Sequence, residues 1–128
     1  MNLSYRLEDG FGIIRAHAPR IDAAVAIQFK NRFSDLAGQT TDDILPAGGA
    51  PRRDTILLDL SEVEFLDSSG LGAVVAARKI LGSDRTLALA GLQPAVDKVL
   101  RLTHMDRVFP IYADTETFLA GQTRATDA

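Results

Sequence analysis

The chain has 128 residues, of which 46% are apolar and 24% charged, proportions ordinary for one globular domain with a hydrophobic core. Its net charge of −3 argues against nucleic acid as the main partner, and the absence of cysteine excludes disulfides, zinc–thiolate sites and thiol catalysis. The sequence has neither an apolar run of the roughly 20 residues that span a membrane nor a signal peptide at its start, so we expect a cytoplasmic protein without membrane insertion.

The first part of the chain predicts two strands and a helix. Residues 5–9 and 12–18 flank a turn-forming Asp-Gly pair, which indicates a β-hairpin. Asp22 is a favourable N-cap for a helix over residues 23–37, whose apolar side chains recur at helical spacing. Gly38 is predicted to end this helix.

The segment 38–54 shows no clear periodicity. Its seventeen residues exceed the usual length of a connection, which predicts a mobile loop. Neither flank of this loop has enough apolar residues to build a core alone, so we expect it to lie inside a single domain spanning residues 1–120. Residues 121–128 are predicted to form a polar C-terminal tail.

The second half of the chain alternates predicted strands and helices. Three strands are expected at 55–60, Thr86–Ala90 and 108–112, and three helices at 69–81, from Pro94 onward, and from an Asp114 cap to residue 120. The resulting order, ββαβαβαβα, predicts an α/β fold with a mixed sheet of about five strands and about four helices. Its parallel crossovers are expected to be right-handed.

The hexapeptide at 67–72, Asp-Ser-Ser-Gly-Leu-Gly, lies where a predicted buried strand has ended and a helical pattern begins. Unpaired backbone N–H groups and the helix dipole favour negative charge at such a helix N-terminus, so a phosphate on Ser68 or Ser69 can be accommodated there. The alternative is that Ser68 only caps the helix, a role that Asp67 or Ser69 can also fill. Neither a Gly-x-Ser-x-Gly elbow nor a nucleotide-binding glycine loop surrounds the serines, which favours a switch over a catalytic centre.

Three other polar residues have structural interpretations. Asp59 lies at the end of a predicted strand and is expected to accept hydrogen bonds in the turn that follows. His17 and His104 are too far apart in sequence to indicate a metal pair. We therefore expect no metal site and no cofactor.

The segment 58–72, which ends in the hexapeptide, resembles the signature of the STAS domain. Within that family it most resembles the branch of bacterial anti-sigma factor antagonists. Two further segments agree with this resemblance. Residues 20–24 are similar to the start of the family's first helix, and residues 89–96 to its strand–turn–helix around a proline. The resemblance covers about residues 3–120 and implies a STAS fold.

The resemblance also implies a mechanism. Members of this branch, when unphosphorylated, bind a serine-kinase anti-sigma factor and thereby release a sigma factor. The kinase phosphorylates the serine that follows the aspartate, which corresponds to Ser68 here, and a PP2C-type phosphatase restores binding. The implied partner-binding residues are the phosphoacceptor itself and its neighbours, together with the aspartate before the first helix: Asp22, Asp67, Ser68, Ser69, Gly70 and Leu71. On this interpretation the protein is a kinase substrate and not an enzyme.

Two features keep alternatives open. The 38–54 segment is longer than the short connection usual in compact members of the family, and it is either a specificity element or tolerated extra length. STAS domains also occur as subunits of stressosome-type scaffolds and of lipid or anion transport assemblies, in which the serine would have no switching role. A small-molecule sensor is a third possibility.

Overall fold

The computed structural model describes residues 1–44, 55–83 and 85–127. Its strands are β1 Leu3–Glu8, β2 Phe11–Ala16, β3 Arg20–Ile21, β4 Thr55–Asp59, β5 Phe65–Leu66, β6 Thr86–Ala90 and β7 Ile111–Tyr112. Its helices are α1 Ala26–Ile44, α2 Ser68–Leu81, α3 Pro94–Leu102 and α4 Thr115–Asp127. A short 3-10 turn, Met105–Arg107, separates α3 from β7.

The main sheet has five strands in the order β1-β2-β4-β6-β7. The hairpin strands β1 and β2 are antiparallel, whereas β2, β4, β6 and β7 run parallel to one another. Strands β3 and β5 form a separate parallel pair. The predicted α/β fold with a mixed five-stranded sheet and four helices is therefore confirmed.

Helices cover both faces of the main sheet, and successive strand residues point to opposite faces. Ile56 and Leu58 of β4 join the larger core beneath α1, α2 and α3, whereas Leu57 between them joins a smaller core beneath α4. Strand β4 is therefore apolar on both faces, as the sequence predicted. The smaller core closes around Phe118 of α4, whose ring packs edge-on against Phe11.

Helix α1 differs from its prediction at both ends. Asp22 does not cap a helix that starts at the next residue; a turn over residues 23–25 intervenes and α1 begins at Ala26. Gly38 does not end the helix, which continues to Ile44. Gly38 adopts ordinary helical geometry there, so its weak helix propensity is overridden by the packing of α1 on the sheet and on α2. The remainder of the predicted mobile loop, residues 45–54, lies outside the described residues.

The later elements match their predictions more closely. Pro94 occupies the first turn of α3, and Asp114 caps α4 by accepting a hydrogen bond from the Thr117 N–H at 2.7 Å. The predicted strand at 108–112 is shorter, because the 3-10 turn precedes it, and α4 extends beyond residue 120 to Asp127. Within the described part of the chain, no helix is both long and apolar enough to cross a membrane.

Candidate functional site

The two-stranded β3–β5 pair positions the start of α2. Arg20 lies opposite Phe65 and Ile21 opposite Leu66 in this pair. The pairing continues one step further, where the Asp67 N–H donates to the Ile21 carbonyl at 3.4 Å. Helix α2 begins at the next residue, Ser68, so this serine lies in the first turn of a helix whose start is fixed by β-pairing.

Asp67 is the N-cap of α2. Its Oδ1 accepts a hydrogen bond from the Gly70 N–H at 2.8 Å, and its backbone is extended. Its Oδ2 accepts a second, longer hydrogen bond from the Ala23 N–H at 3.3 Å, in the turn that precedes α1. One carboxylate therefore ties the N-termini of two helices together, and the capping role left open among three residues belongs to Asp67.

Gly70 is required by packing. A Cβ atom at this position would overlap the carbonyl oxygen of Ile21 and crowd the Leu66 side chain. Gly70 is accordingly buried, and its small size lets α2 lie directly against β3. This contact explains in physical terms why a glycine follows the two serines.

Ser68 and Ser69 are both exposed, whereas Leu71 is half-buried and packs against the larger core. Because Asp67 already satisfies the Gly70 N–H, neither serine hydroxyl is needed as the cap. Both hydroxyls are therefore accessible from solvent at the positive end of the helix dipole.

Asp22 lies beside this helix start. Its Oδ1 accepts a hydrogen bond from the Ala24 N–H at 3.1 Å, and its backbone carbonyl accepts one from the Ala26 N–H at 2.9 Å. Its Oδ2 lies 3.7 Å from Nε of Arg20. Asp22 therefore shapes the turn whose Ala23 N–H binds Asp67, and all six residues singled out from the sequence lie at this corner of the fold.

Three residues of this corner were not predicted from the sequence. Arg20 places its guanidinium 5.1 Å from the centre of the Phe65 ring, and that ring is 41% exposed. Ile27, in the first turn of α1, is 66% exposed. A signal for Ile27 existed, because this apolar residue falls outside the helical stripe formed by Ala26, Phe29 and Phe33. The β3–β5 pair gave no signal, since two residues are too few to show a period.

Asp59, at the end of β4, accepts hydrogen bonds on the face of the sheet that α4 covers. This 3% exposed carboxylate accepts hydrogen bonds from the Ser61 N–H at 2.9 Å, from Nη2 of Arg15 at 3.0 Å and from the Thr115 hydroxyl at 2.7 Å. Burial by itself raises the pKa of Asp59, but the hydrogen bonds from Ser61, Thr115 and Arg15 together outweigh it and hold the pKa below its ordinary value. The predicted role as a hydrogen-bond acceptor in the turn is confirmed, and the link to α4 is additional.

His17 and His104 do not come together at a metal site. The His17 ring is hydrogen-bonded to Oε2 of Glu62 at 2.8 Å and to the Ser4 hydroxyl at 2.7 Å, which ties the β4–β5 connection to the hairpin. His104 lies in the turn after α3. Among the described residues, no group of three or more His, Asp or Glu side chains is arranged to hold a metal ion.

Comparison with known proteins identifies the family. The STAS domain profile matches residues 2–118. A protein named anti-sigma F factor antagonist from Paenibacillus polymyxa is 31% identical over 113 residues, which are 88% of each chain. The crystal structure of an anti-sigma factor antagonist from Mycobacterium paratuberculosis has a TM-score of 0.74 at 23% identity and covers 94% of this chain and 92% of that one.

A further solved structure, the Bacillus cell fate determinant SpoIIAA in its phosphorylated form, has a TM-score of 0.60 at 19% identity and covers 93% of this chain and 97% of that one. At these identities, the two structural likenesses establish the fold alone. The family match and the Paenibacillus relative together show more than the fold: the chain belongs to the STAS domain family, in its anti-sigma factor antagonist branch.

Proposed function

We propose that this protein is a phosphorylation-controlled antagonist, which binds a serine-kinase anti-sigma factor when Ser68 is unmodified and releases it when Ser68 is phosphorylated. The observation that carries the proposal is the exposure of Ser68 in the first turn of α2, with the capping role taken by Asp67. Binding of the kinase frees the sigma factor for RNA polymerase. The protein is then a kinase substrate and not an enzyme.

The charge at the site supports this mechanism. Unmodified Ser68 is small and neutral, so a partner surface can pack over it. A phosphate adds a charge of about −1.5 to −2 near pH 7, beside the carboxylates of Asp67 and Asp22. Bringing that phosphate into an interface would cost desolvation and like-charge repulsion, and binding is lost.

The surroundings of Ser68 supply the remaining parts of the proposal. Ser69, Leu71 and Asp22 border Ser68 and are assigned to the partner surface, while Asp67 and Gly70 maintain the helix start on which that surface depends. A PP2C-type phosphatase is proposed to remove the phosphate and restore binding. The whole cycle is placed in the cytoplasm, where ATP is available to the kinase.

The test is phosphorylation by the serine-kinase anti-sigma factors encoded in the same genome. The purified protein is incubated with ATP and each kinase, and the modified residue is mapped by mass spectrometry. We expect phosphorylation on Ser68, which should be absent in Ser68→Ala and still occur in Ser69→Ala. The phosphorylated protein should no longer bind the kinase. If active kinases add no phosphate to the wild-type protein, the proposal fails and a scaffold or transport-assembly role takes its place.

A further inference from the structure

Two glycines follow the serines in α2, and their environments differ. Gly70 is buried against the Ile21 carbonyl and has no room for a side chain. Gly72 is exposed, and beyond its chain neighbours and the backbone of its own helix a Cβ atom built there meets no described heavy atom within 4 Å. Its φ lies outside the left-handed region, so its conformation is open to any residue. Neither packing nor backbone geometry within the domain calls for glycine at position 72.

Glycine at such a position lowers the stability of the fold. Within a helix, glycine is less favourable than every residue except proline, because it loses the most backbone freedom on ordering. Gly72 is the fifth residue of α2, beyond the first turn. An alanine would therefore strengthen the helix without any clash among the described residues, and the described fold gives no reason for the glycine.

Gly72 shares a helix face with the proposed phosphoacceptor. It follows Ser68 by four residues, which places it one turn further along α2, about 6 Å along the axis and on the same side. A partner that packs over Ser68 thus passes directly over Gly72. Without a side chain, the helix backbone and the Cα hydrogens of Gly72 are open to van der Waals contact and weak C–H···O hydrogen bonds from a main-chain carbonyl.

We propose that Gly72 is the point of closest approach between α2 and the kinase anti-sigma factor, whose main chain lies against the helix backbone there. This inference rests on the proposed function and adds a specificity-determining residue to it. The partner segment is uncharged and closely packed against the helix, because it must accept a neutral Ser68 and leaves no room for a Cβ at position 72. Any side chain at position 72 would hold this segment away from the helix.

Gly38 provides a matched control. It too is an exposed glycine within a helix, and with the same neighbours set aside a Cβ built there also meets no described heavy atom within 4 Å. It lies twelve residues after the start of α1, about 18 Å along that helix from the end tied to Asp67. Alanine at position 38 should therefore strengthen a helix in the same way without touching the proposed interface.

The test measures stability and kinase affinity in Gly72→Ala and Gly38→Ala. Both variants are expected to raise the thermal midpoint by about 2–5 °C. Only Gly72→Ala is expected to weaken binding of the kinase anti-sigma factor, by about tenfold or more, because the added Cβ overpacks the interface. The larger Gly72→Leu should abolish measurable binding, while Gly38→Leu should leave the affinity unchanged.

The outcomes separate this inference from the function on which it rests. If the wild-type protein binds the kinase and Gly72→Leu binds it with equal affinity, Gly72 is not a contact and the inference is wrong, although the switch at Ser68 stands. If Gly72→Ala lowers the thermal midpoint, the glycine serves the fold and the inference is equally wrong. Failure of the wild-type protein to bind any candidate kinase would overturn both.

Discussion

Both carboxylate oxygens of Asp67 accept hydrogen bonds from backbone N–H groups of the domain. Oδ1 caps α2 through Gly70 at 2.8 Å and Oδ2 reaches the Ala23 N–H at 3.3 Å. The residue that precedes the proposed phosphoacceptor is therefore a positioning residue, which holds Ser68 at the exposed helix start. Its contribution to partner binding should pass through the geometry of α2 rather than through direct contact.

Removing this cap should cost stability in a graded way. Asp67→Ala is expected to lower the free energy of unfolding by about 1–2 kcal/mol, because the Gly70 N–H loses its acceptor. Asp67→Asn should cost less, since an asparagine oxygen can still cap α2 while its NH2 group cannot accept from Ala23. Urea denaturation of the three proteins measures the series. Equal stability of Asp67→Ala and wild type would show that the cap contributes nothing.

At the scale of an element, α4 is held to the sheet by the Asp59 carboxylate as well as by its apolar face. Thr115, in the first turn of α4, donates to Oδ2 of Asp59, and Arg15 of β2 donates to the same oxygen. Because this network holds the folded pKa of Asp59 below that of the unfolded chain, it stabilises the fold above about pH 4. That stabilisation is lost as the pH falls through the depressed folded pKa.

Asp59→Asn should therefore change how stability depends on pH. The variant is expected to be less stable than wild type by about 2 kcal/mol at pH 7, since a charged acceptor of several hydrogen bonds is lost. The difference should shrink as the pH falls below about 4, the ordinary pKa of an aspartate, because wild-type Asp59 loses its charge as the pH passes through its depressed folded pKa. Urea denaturation at each pH gives the two curves, and Asp35→Asn, at an exposed position of α1, serves as control. A difference that stays constant with pH would contradict the assigned role.

The elements show which parts of the fold the sequence could predict. Both ends of strands β4 and β6 were predicted to within a residue, because runs of apolar residues mark them locally. The start of helix α3 was predicted from Pro94. The predicted end of α1 at Gly38 was wrong. A glycine lowers the local helix propensity, but the packing of α1 overrides that preference. The Asp59 network was beyond prediction, because Arg15 and Thr115 lie 44 and 56 residues away along the chain.

The candidate site was likewise predictable from the sequence only in part. The exposed serines were found because a polar Asp-Ser-Ser sequence at a strand-to-helix junction has a local chemical meaning. The allocation of roles within it required coordinates. The hydrogen bond from the Gly70 N–H to Asp67 shows that Asp67 is the cap. The packing of α2 on β3 shows that Gly70 faces the Ile21 carbonyl, whereas a Cβ atom at Gly72 would face open space.

For the molecule as a whole, the site predicts a switch that works without unfolding. Ser68 is exposed, makes no contact on which the core depends, and lies where the helix dipole favours negative charge. A phosphate there is stabilised by the helix N-terminus and opposed by the neighbouring carboxylates of Asp67 and Asp22. Since these effects have opposite signs, the folded state should tolerate the modification.

Phosphorylation of Ser68 is therefore expected to change the free energy of unfolding by less than about 1 kcal/mol while binding of the kinase is lost. Urea denaturation of the unmodified and phosphorylated proteins measures the first quantity, and titration with the kinase measures the second. Ser68→Asp should weaken binding only in part, because one carboxylate carries less charge than a phosphate. Ser83→Asp, at an exposed position beyond the other end of α2, is the control and should leave binding unchanged. If phosphorylation instead destabilises the protein by several kcal/mol, the switch acts through the fold. The partner surface would then be lost by local unfolding of α2 rather than by the charge at its first turn.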